Sequence, residues 1–86
     1  MQLKAYKKFL KFYKKLPDTI KTKTDRQIKL LADNFRHPSL QCKKMQGKEE
    51  IWEARIDLQY RVTFEIIGDT IFLRTVGNHE DALKSP

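Results

Sequence analysis

The stretch from Trp52 to His79 alternates apolar and polar residues with a period of two, and it constrains the fold more than any other part of the chain. Successive side chains of a β-strand point to opposite faces, so this alternation predicts strands with one buried and one solvent-facing side. Turn-forming residues divide the stretch into three segments. The pattern therefore predicts a three-stranded antiparallel meander.

The register of the first two predicted strands follows from keeping their apolar residues on one face of the sheet. A two-residue turn at 57–58 would place Ala54 opposite Arg61 and put the two apolar sets on opposite sides. A three-residue connection at 57–59 brings the apolar sets together. The predicted cross-strand pairs are then Ile56 with Tyr60, Ala54 with Val62, and Trp52 with Phe64.

The connection between the second and third strands is predicted from its turn residues, Gly68-Asp69. Glycine at the first central position is what a type II′ hairpin turn prefers. This turn pairs Ile66 with Ile71 and Phe64 with Leu73, so that the third strand also keeps its apolar residues on the common face.

The other face of the predicted sheet concentrates charge. It carries Glu53, Arg55, Arg61, Thr63, Glu65 and Arg74, with Phe72 among them. Arg55 lies directly opposite Arg61, and like charges facing each other destabilise a strand pair by roughly 0.2–1 kcal/mol. Two interpretations remain open. Glu53 and Glu65 neutralise the arginines as a surface charge ladder, or the arginines bind a phosphate through paired hydrogen bonds.

Length and charge indicate the class of partner. The 86 residues predict one small domain that spans residues 1–86. The chain has 18 Lys+Arg and 11 Asp+Glu, a net charge of +7, but residues 1–48 hold 14 of the basic and only 3 of the acidic residues. A basic half beside an arginine-bearing sheet favours a polyanion such as nucleic acid.

Several other classes of protein are not supported by the sequence. No stretch approaches the roughly 20 apolar residues of a membrane-spanning helix, and no continuous apolar run resembles a signal peptide. Cys42 is the single cysteine, and His37 and His79 lack the spacing of a metal site. We therefore expect a cytoplasmic location, no membrane partner, no metal and no cofactor.

The N-terminal half shows helical spacing. Apolar residues recur every three or four positions from Leu3 to Leu16 and predict an amphipathic helix with a lysine-rich outer face, while residues 1–4 are open to an edge strand or a frayed helix start. Pro17 ends this helix, and Asp18 is a good N-cap for a second one. The second helix is expected to bury Ile20, Ile28, Leu31 and Phe35.

The order of elements predicts the architecture. Two helices followed by a meander indicate an α+β fold, in which an N-terminal helical hairpin packs on a three- to four-stranded antiparallel sheet. Outside the meander, residues 40–45 could form an additional extended segment.

Candidate chemistry lies beside the arginines. His79 follows the third strand, where a scaffold commonly presents functional groups, and histidine can transfer protons near neutral pH. The alternative is a solvent-facing or capping histidine. His37, in the exposed loop 36–39, is interpreted as structural. Ser39 and Cys42 have no base nearby in sequence, so nucleophilic catalysis is not supported.

Further basic side chains could hold an RNA backbone, or could simply form a solvated surface. The candidates are Lys7, Lys11, Lys43, Lys44, Lys48 and Arg74. Phe72 could stack on a base or fill a pocket under the C-terminal tail.

The motifs resemble one known family. F-L-K-F-Y-K-K-L-P, then H-P-S-L-Q-C-K-K-M-Q-G, then W-E-A-R-I, Y-R-V-T-F, G-D and V-G-N-H-E-D are similar, in this order, to the RelE/ParE superfamily of toxins from type II toxin–antitoxin operons. The resemblance covers nearly the whole chain, and the combination of motifs is more specific than any one of them.

The resemblance implies a microbial-RNase-like fold and, in the RelE branch, metal-independent cleavage of mRNA in the ribosomal A site. It implies that a cognate antitoxin blocks the toxin and that the complex contacts operator DNA. By position, Arg61 matches the arginine that stabilises the scissile phosphate, and His79 matches the C-terminal catalytic position. Arg55 occupies a position held by basic or polar site residues.

Three features depart from the family pattern. The first strand is nearly absent, the carboxylate that some relatives place near the proline loop is replaced by Ser39 or has no counterpart, and the aromatic after the catalytic position is represented by Leu83. On the polar face, Glu53 is the carboxylate close enough to be a second proton-transfer group.

The sequence leaves three functions open. The first is a ribosome-dependent endoribonuclease with His79, Arg61, Arg55 and Glu53 as its catalytic residues. The second is a ParE-like inhibitor of DNA gyrase that catalyses nothing, and the third is an inactive relative that only binds antitoxin. The cluster of Arg55, Arg61 and His79 favours the first, because gyrase inhibition needs no proton-transfer residue.

Overall fold

The computed structural model describes residues 1–47 and 50–84, including the side chains of all of these except residues 81, 83 and 84. In chain order the elements are β1 (Gln2–Ala5), α1 (Lys7–Lys14), α2 (Asp18–Asp33), a 3₁₀ turn (Pro38–Leu40), β2 (Lys43–Lys44), β3 (Trp52–Arg55), β4 (Tyr60–Ile67), β5 (Thr70–Asn78) and α3 (His79–Lys84). None of the helices in this described part has the length and apolar character that crossing a bilayer requires.

The strands form one sheet in the order β1-β5-β4-β3-β2. All neighbours are antiparallel except β1, which pairs parallel to β5. The predicted α+β class, with an N-terminal helical hairpin on a largely antiparallel sheet, is confirmed. The described sheet has five strands rather than three or four, because a short strand is added at each edge of the meander.

The predicted register of the meander is confirmed. Trp52 pairs with Phe64 and Ala54 with Val62, as a three-residue connection requires. Phe64 also pairs with Leu73 across the second hairpin. Gly68 adopts a positive φ of 59° in that turn, a conformation that glycine adopts without steric cost.

A β-bulge in β5 shifts the pairing register partway along the second hairpin. Phe64 pairs with Leu73, but Thr63 pairs with Thr75, so Arg74 has no residue opposite it. One extra residue keeps both Leu73 and Val76 on the apolar face, although three positions separate them. Strict alternation along β5 would not have predicted this.

The hydrophobic core lies between the sheet and the two long helices. Its largest buried members are Phe9, Leu16, Ile20, Leu31, Leu40, Ile56, Val62, Phe64, Ile71, Leu73 and Val76. Ile20 and Leu31 confirm the predicted inner face of α2, and Thr24 lies fully buried between them. Burial of a large aliphatic side chain contributes roughly 1.5–3 kcal/mol each, so this contiguous cluster is the main stabilising feature.

The start of the first helix differs from the prediction. The helix begins at Lys7 rather than Leu3, because residues 2–5 pair with β5 as an edge strand. Leu3 and Tyr6 have helical spacing relative to α1 although they lie outside it, and each is 37% exposed. The first strand is therefore present, although its sequence is short. Asp18 is the first residue of α2 and Pro17 occupies the N-cap position, so the predicted cap lies one residue too late.

The polar face of the sheet was predicted to face solvent, but part of it is covered. Helix α3 contacts β4 and β5, and its Ala82 is 1% exposed although it does not join the core cluster. Thr63 and Thr75, which share the polar face, are fully buried. We infer that α3 covers the centre of this face, on the side of the sheet opposite α1 and α2.

Candidate active site

Two arginines lie side by side at the end of the polar face. Arg55 on β3 is the direct cross-strand partner of Arg61 on β4, as predicted, and both are half-buried. Neither forms an ion pair within the described residues, where Glu53 pairs with Lys43 and Glu65 with Arg74. The proposed charge ladder is therefore only partly present, because Glu65 pairs with Arg74 but Glu53 pairs with Lys43 instead of an arginine.

The side chain of Arg61 is held by backbone carbonyls of the adjoining turn. Its Nη1 donates hydrogen bonds to the carbonyl oxygens of Asp57 at 2.6 Å and Tyr60 at 2.9 Å. Its Nε and Nη2 make no hydrogen bond within the described residues. One edge of the guanidinium is thus fixed, while the other keeps the two N–H directions that bind a phosphate in a forked geometry.

Arg55 carries a buried donor without a partner. Its Nε is inaccessible to solvent and makes no hydrogen bond within the described residues. Leaving a charged donor unsatisfied is unfavourable, since a buried polar group costs roughly 1–3 kcal/mol without its hydrogen bond. Together with Arg61, this side chain forms a positive site that an anion would stabilise.

His79 lies next to this pair at the end of β5. It is the first residue of α3 rather than a loop residue, and its exposed imidazole makes no hydrogen bond within the described residues. Its backbone N–H donates to the carbonyl of Gln59 at 2.5 Å, which ties it to the β3–β4 turn. Gly77, two residues earlier, is the cross-strand partner of Arg61. The fold therefore brings Arg55, Arg61 and His79 to one end of the sheet.

A surface groove of about 610 Å³ runs beside His79. Its walls are Leu58, Gln59, Asn78, His79 and Glu80. The groove lies between the β3–β4 turn and the start of α3, so an extended chain lying in it would pass the imidazole.

Glu53 is placed differently from expectation. It shares the polar face with the arginines, but it is only 6% exposed and forms an ion pair with Lys43 at 3.7 Å. A substrate in the groove would meet His79 more readily than Glu53. Glu53 remains a candidate for proton transfer, with less access to substrate than the prediction assumed.

The two lysines of β2 diverge. Side chains alternate along a strand, so Lys43 turns toward Glu53 on the polar face while Lys44 lies 5.5 Å above the ring of Trp52 on the other. Trp52 itself packs against Phe64 and Phe35, as its predicted core position requires. Of the two lysines, Lys43 is the one that the sheet places near Arg55.

Arg74, Lys7 and Lys11 are not part of the arginine cluster. Arg74 pairs with Glu65 and lies 5.7 Å from the ring of Tyr6, which in turn stacks on Phe72. Lys7 and Lys11 are exposed on α1, which packs against β5 from the core side. Lys48, the last candidate, lies outside the described residues.

Other reactive side chains have structural environments. The Nδ1 of His37 accepts the N–H of Ser39 and caps the 3₁₀ turn, in agreement with its predicted structural role. Burial raises the pKa of the Cys42 thiol to about 11, which disfavours the nucleophilic thiolate. Within residues 1–47 and 50–84, no group of three histidine, cysteine or acidic side chains is arranged to hold a metal ion.

Comparison with known proteins bears on the fold. No protein-family profile matches the sequence, and no curated protein matches it at a significant level. Solved structures do match. A chain of the RelB–RelE antitoxin–toxin complex from Methanococcus jannaschii has a TM-score of 0.78 and 24% identity, over 96% of this chain and 99% of that one. The fold is that of the RelE/ParE toxins.

Two further structures with the RelE/ParE fold are similar over nearly the whole chain. The YoeB/ParE toxin from Agrobacterium tumefaciens has a TM-score of 0.77 and 14% identity, over 92% of this chain and 99% of that chain. A chain of the intact Escherichia coli RelBE toxin–antitoxin complex has a TM-score of 0.73 and 20% identity, over 92% and 96%. These identities establish the architecture, and the side chains of the site must decide the chemistry.

The RelE/ParE fold explains why the arginines and the histidine lie at one end of the sheet although Arg61 and His79 are 18 positions apart in the sequence. Antiparallel pairing of β4 with β5 returns the chain to the turn that precedes Arg61.

One functional feature was missed by sequence reasoning. Asp57, assigned only to a connection, accepts hydrogen bonds from two backbone N–H groups of that turn. The signal was available, because aspartate at the first turn position commonly bonds the backbone two residues on.

Proposed function

We propose that this chain is the toxin of a type II toxin–antitoxin pair and a ribosome-dependent, metal-independent endoribonuclease that cleaves mRNA and arrests translation. The observation that carries the proposal is the placement of Arg55, Arg61 and His79 at one end of the sheet, with neither arginine paired to a described carboxylate. This arrangement suits a phosphodiester with a proton-transfer group beside it.

The proposed reaction is transesterification within the RNA strand. The 2′-oxygen of one nucleotide forms a bond to the adjacent phosphorus as the bond from phosphorus to the 5′-oxygen breaks. A base takes the 2′-hydroxyl proton, and an acid protonates the departing 5′-oxygen. The products are a cyclic phosphate and a 5′-hydroxyl, so the atoms balance without a further reactant.

His79 is the proton-transfer group in this proposal. Its imidazole is exposed beside the groove, within reach of a strand lying there. A positioned acid or base contributes typically about 10²- to 10⁴-fold to a rate. Glu53 is the second candidate, and its ion pair with Lys43 keeps a negative charge near Arg55 when no RNA is bound.

Arg61 and Arg55 stabilise the charge that develops on the phosphoryl oxygens. Arg61 is already fixed through Nη1, so little reorganisation is needed when its free edge meets the phosphate. Preorganised donors of this kind are often the largest single contribution to catalysis. Arg55 would add its positive charge beside Arg61, its direct cross-strand partner.

The proposed partners follow from charge and from the similar structures. Lys43, Lys44, Lys48, Arg74, Lys7 and Lys11 would contact RNA phosphates and make binding salt-dependent. Several similar chains were solved in complexes named RelB–RelE or RelBE, which supports a cognate antitoxin as protein partner. Operator DNA would be bound by the toxin–antitoxin complex, and the proposed location is the cytoplasm.

Primer extension on a reporter mRNA in a reconstituted translation system tests the proposal. Native protein is compared with His79→Ala and Arg61→Ala, each with and without ribosomes. His37→Asn is the matched control, because it removes the other histidine while an asparagine can still cap the 3₁₀ turn. We expect ribosome-dependent cuts within codons for the native protein and the control, and none for the two site variants.

Intact mRNA under every condition would contradict the endoribonuclease. Inhibition of gyrase supercoiling, together with SOS induction and filamentous cells, would then support the ParE-like alternative. Cuts that persist in both site variants would contradict the assigned residues while leaving the activity in place.

A further inference from the structure

The β3–β4 turn is organised by one carboxylate. The Oδ1 of Asp57 accepts the backbone N–H of Gln59 at 2.9 Å and that of Tyr60 at 2.9 Å. Both N–H groups are thereby fixed relative to a side chain at the first position of the turn. The turn is closed further by the N–H of Ile56, which donates to the carbonyl of Tyr60 at 3.0 Å.

The same turn supplies every described hydrogen bond of the Arg61 guanidinium. The carbonyls of Asp57 and Tyr60 accept from Nη1, at 2.6 and 2.9 Å. These two oxygens lie immediately on either side of the two peptides whose N–H groups the Asp57 carboxylate binds. The orientation of the guanidinium therefore depends on the shape of the turn.

The turn also holds His79. Its backbone N–H donates to the carbonyl of Gln59 at 2.5 Å, and this is its described link to the turn. Gln59 is in turn fixed through its own N–H by Asp57. The side chain of Asp57 thus fixes the turn that positions both the phosphate-binding arginine and the proton-transfer residue.

We infer that Asp57 is a positioning residue, whose carboxylate sets the turn geometry that aims the Arg61 guanidinium and places His79 at the start of α3. The inference rests on the proposed function for its catalytic consequence. Asp57 itself points its acceptor into the turn and touches no reacting atom in this account.

The charge state of Asp57 agrees with this role. Partial burial acts to raise the pKa of the carboxyl, but the N–H groups of Gln59 and Tyr60 and the ammonium of Lys23 outweigh it and lower the pKa below its usual value. Lys23 of α2 lies 3.4 Å from Oδ2, the oxygen that the turn does not use. The carboxylate is therefore ionised at neutral pH, with separate partners for its two oxygens.

Three variants separate turn geometry from charge. Asp57→Ala removes both acceptors, while Asp57→Asn keeps an oxygen at Oδ1 and loses the charge. Lys23→Ala is the control, because it removes the exposed ion pair and leaves the turn bonds intact. Residue-resolved amide hydrogen exchange is measured on each purified full-length protein.

We expect Asp57→Ala to accelerate exchange at Gln59, Tyr60 and His79 while the amides at the centre of β4 keep their protection. Asp57→Asn, which keeps an acceptor but loses the charge, should accelerate exchange much less than Asp57→Ala, and Lys23→Ala should leave these amides as in the native protein. Unchanged exchange in Asp57→Ala would overturn the inference. So would acceleration spread evenly along β4, because that would indicate global destabilisation.

The catalytic consequence is measured as kcat and KM for mRNA cleavage. We expect Asp57→Ala to lower kcat roughly 10- to 100-fold with little change in KM, because a misplacement of about 1 Å in catalytic groups can cost about 100-fold. Asp57→Asn should restore most of the rate. In an Arg61→Lys background, which has already lost the forked guanidinium, Asp57→Ala should have a much smaller effect.

Equal loss of kcat in both backgrounds would overturn the link through Arg61. Should the native protein cleave no RNA, the proposed function fails, and the exchange measurement still decides whether Asp57 organises the turn.

Discussion

The hydroxyl of Thr63 accepts the backbone N–H of Thr75 at 3.1 Å, where the bulge at Arg74 interrupts the regular pairing of β4 and β5. The two hydroxyls also lie 2.6 Å apart, and both residues are fully buried. A side chain thus replaces a backbone acceptor inside the sheet. This permits the extra residue without leaving the N–H of Thr75 unsatisfied.

Replacement of Thr63 by valine should therefore be costly. Thr63→Val leaves the buried N–H and hydroxyl of Thr75 without their partner, for which we expect a loss of about 1–3 kcal/mol in the free energy of unfolding. Thr75→Val should cost less, because Thr63 can still accept the N–H. Urea unfolding of both variants provides the comparison, and equal losses would contradict the assigned role of the Thr63 hydroxyl.

Arg55 should limit stability in the absence of RNA. Arg55→Met keeps the apolar stem but removes the charge facing Arg61 and the buried Nε without a partner. We expect the free energy of unfolding to rise by roughly 0.2–1 kcal/mol at low salt and the gain to shrink as salt screens the repulsion. Thermal and urea unfolding at two ionic strengths measure this. A less stable variant would show that Arg55 has a stabilising partner.

Arg74 should matter less to cleavage than Arg61. Its guanidinium is paired with Glu65 and lies over Tyr6, on the far side of the bulge from Thr75 and Gly77. We expect Arg61→Met to reduce the cleavage rate roughly 100-fold or more, and Arg74→Met, which removes one proposed RNA contact, to reduce it much less. Single-turnover cleavage on programmed ribosomes makes the comparison. Equal losses would place the scissile phosphate nearer to Arg74.

The Asp57 turn should weaken in acid. Because the folded-state pKa of Asp57 is lowered, its ionised form favours the folded state, so its contribution is complete above the unfolded pKa of about 3.9 and is lost as the pH falls through the lower folded value. The stability difference between the native protein and Asp57→Asn should therefore shrink below about pH 4. Urea unfolding between pH 3 and 7 follows it, with Asp69→Asn as a control in the exposed hairpin turn.

Cys42 should react slowly in the folded protein. Burial raises its thiol pKa from 9.0 to about 11, so at neutral pH the thiolate is about 100-fold scarcer than in a free thiol. We expect the rate of reaction with a colorimetric disulfide reagent at pH 8 to rise about 100-fold on unfolding in urea. A folded-state rate equal to the unfolded one would show that the thiol is neither buried nor perturbed.

The pairing of the meander could be predicted because parity leaves few choices. With Trp52, Ala54, Val62 and Phe64 required on one face, a single loop length satisfies the first hairpin, and the structure has it. The same reasoning placed Arg55 opposite Arg61. Local sequence was sufficient here because the partners lie within about a dozen residues of each other.

Features that depend on distant parts of the chain could not be predicted in this way. Residues 1–4 were open to an edge strand or a frayed helix start, because the spacing of α1 continues back to Leu3, and only pairing with β5 makes residues 2–5 a strand. The burial of Thr63 and Thr75 is a second such feature, and α3, which contacts β4 and β5, is the element that we infer covers them. The alternation of β5 also hides its bulge, which a period-two pattern has no means to signal.

Side-chain orientation was the other limit. Sequence placed Arg61 on the correct face but could not show that its guanidinium turns back to the carbonyls of Asp57 and Tyr60. It likewise could not show that Glu53 pairs with Lys43, which approaches it from an edge strand. Such choices follow from local geometry that residue type alone does not determine.

The parallel pairing of β1 with β5 has a consequence for synthesis of the chain. Gln2 pairs with Thr70 and Ala5 with Leu73, and α1 also packs on β5, so residues 2–5 obtain their partners only after synthesis has reached residues 70–73. Contacts of such long separation slow folding and cannot form on a partial chain. A polypeptide that stops before residue 70 would keep its basic N-terminal half without a sheet to pack on, and an interrupted translation product would lack the assembled site altogether.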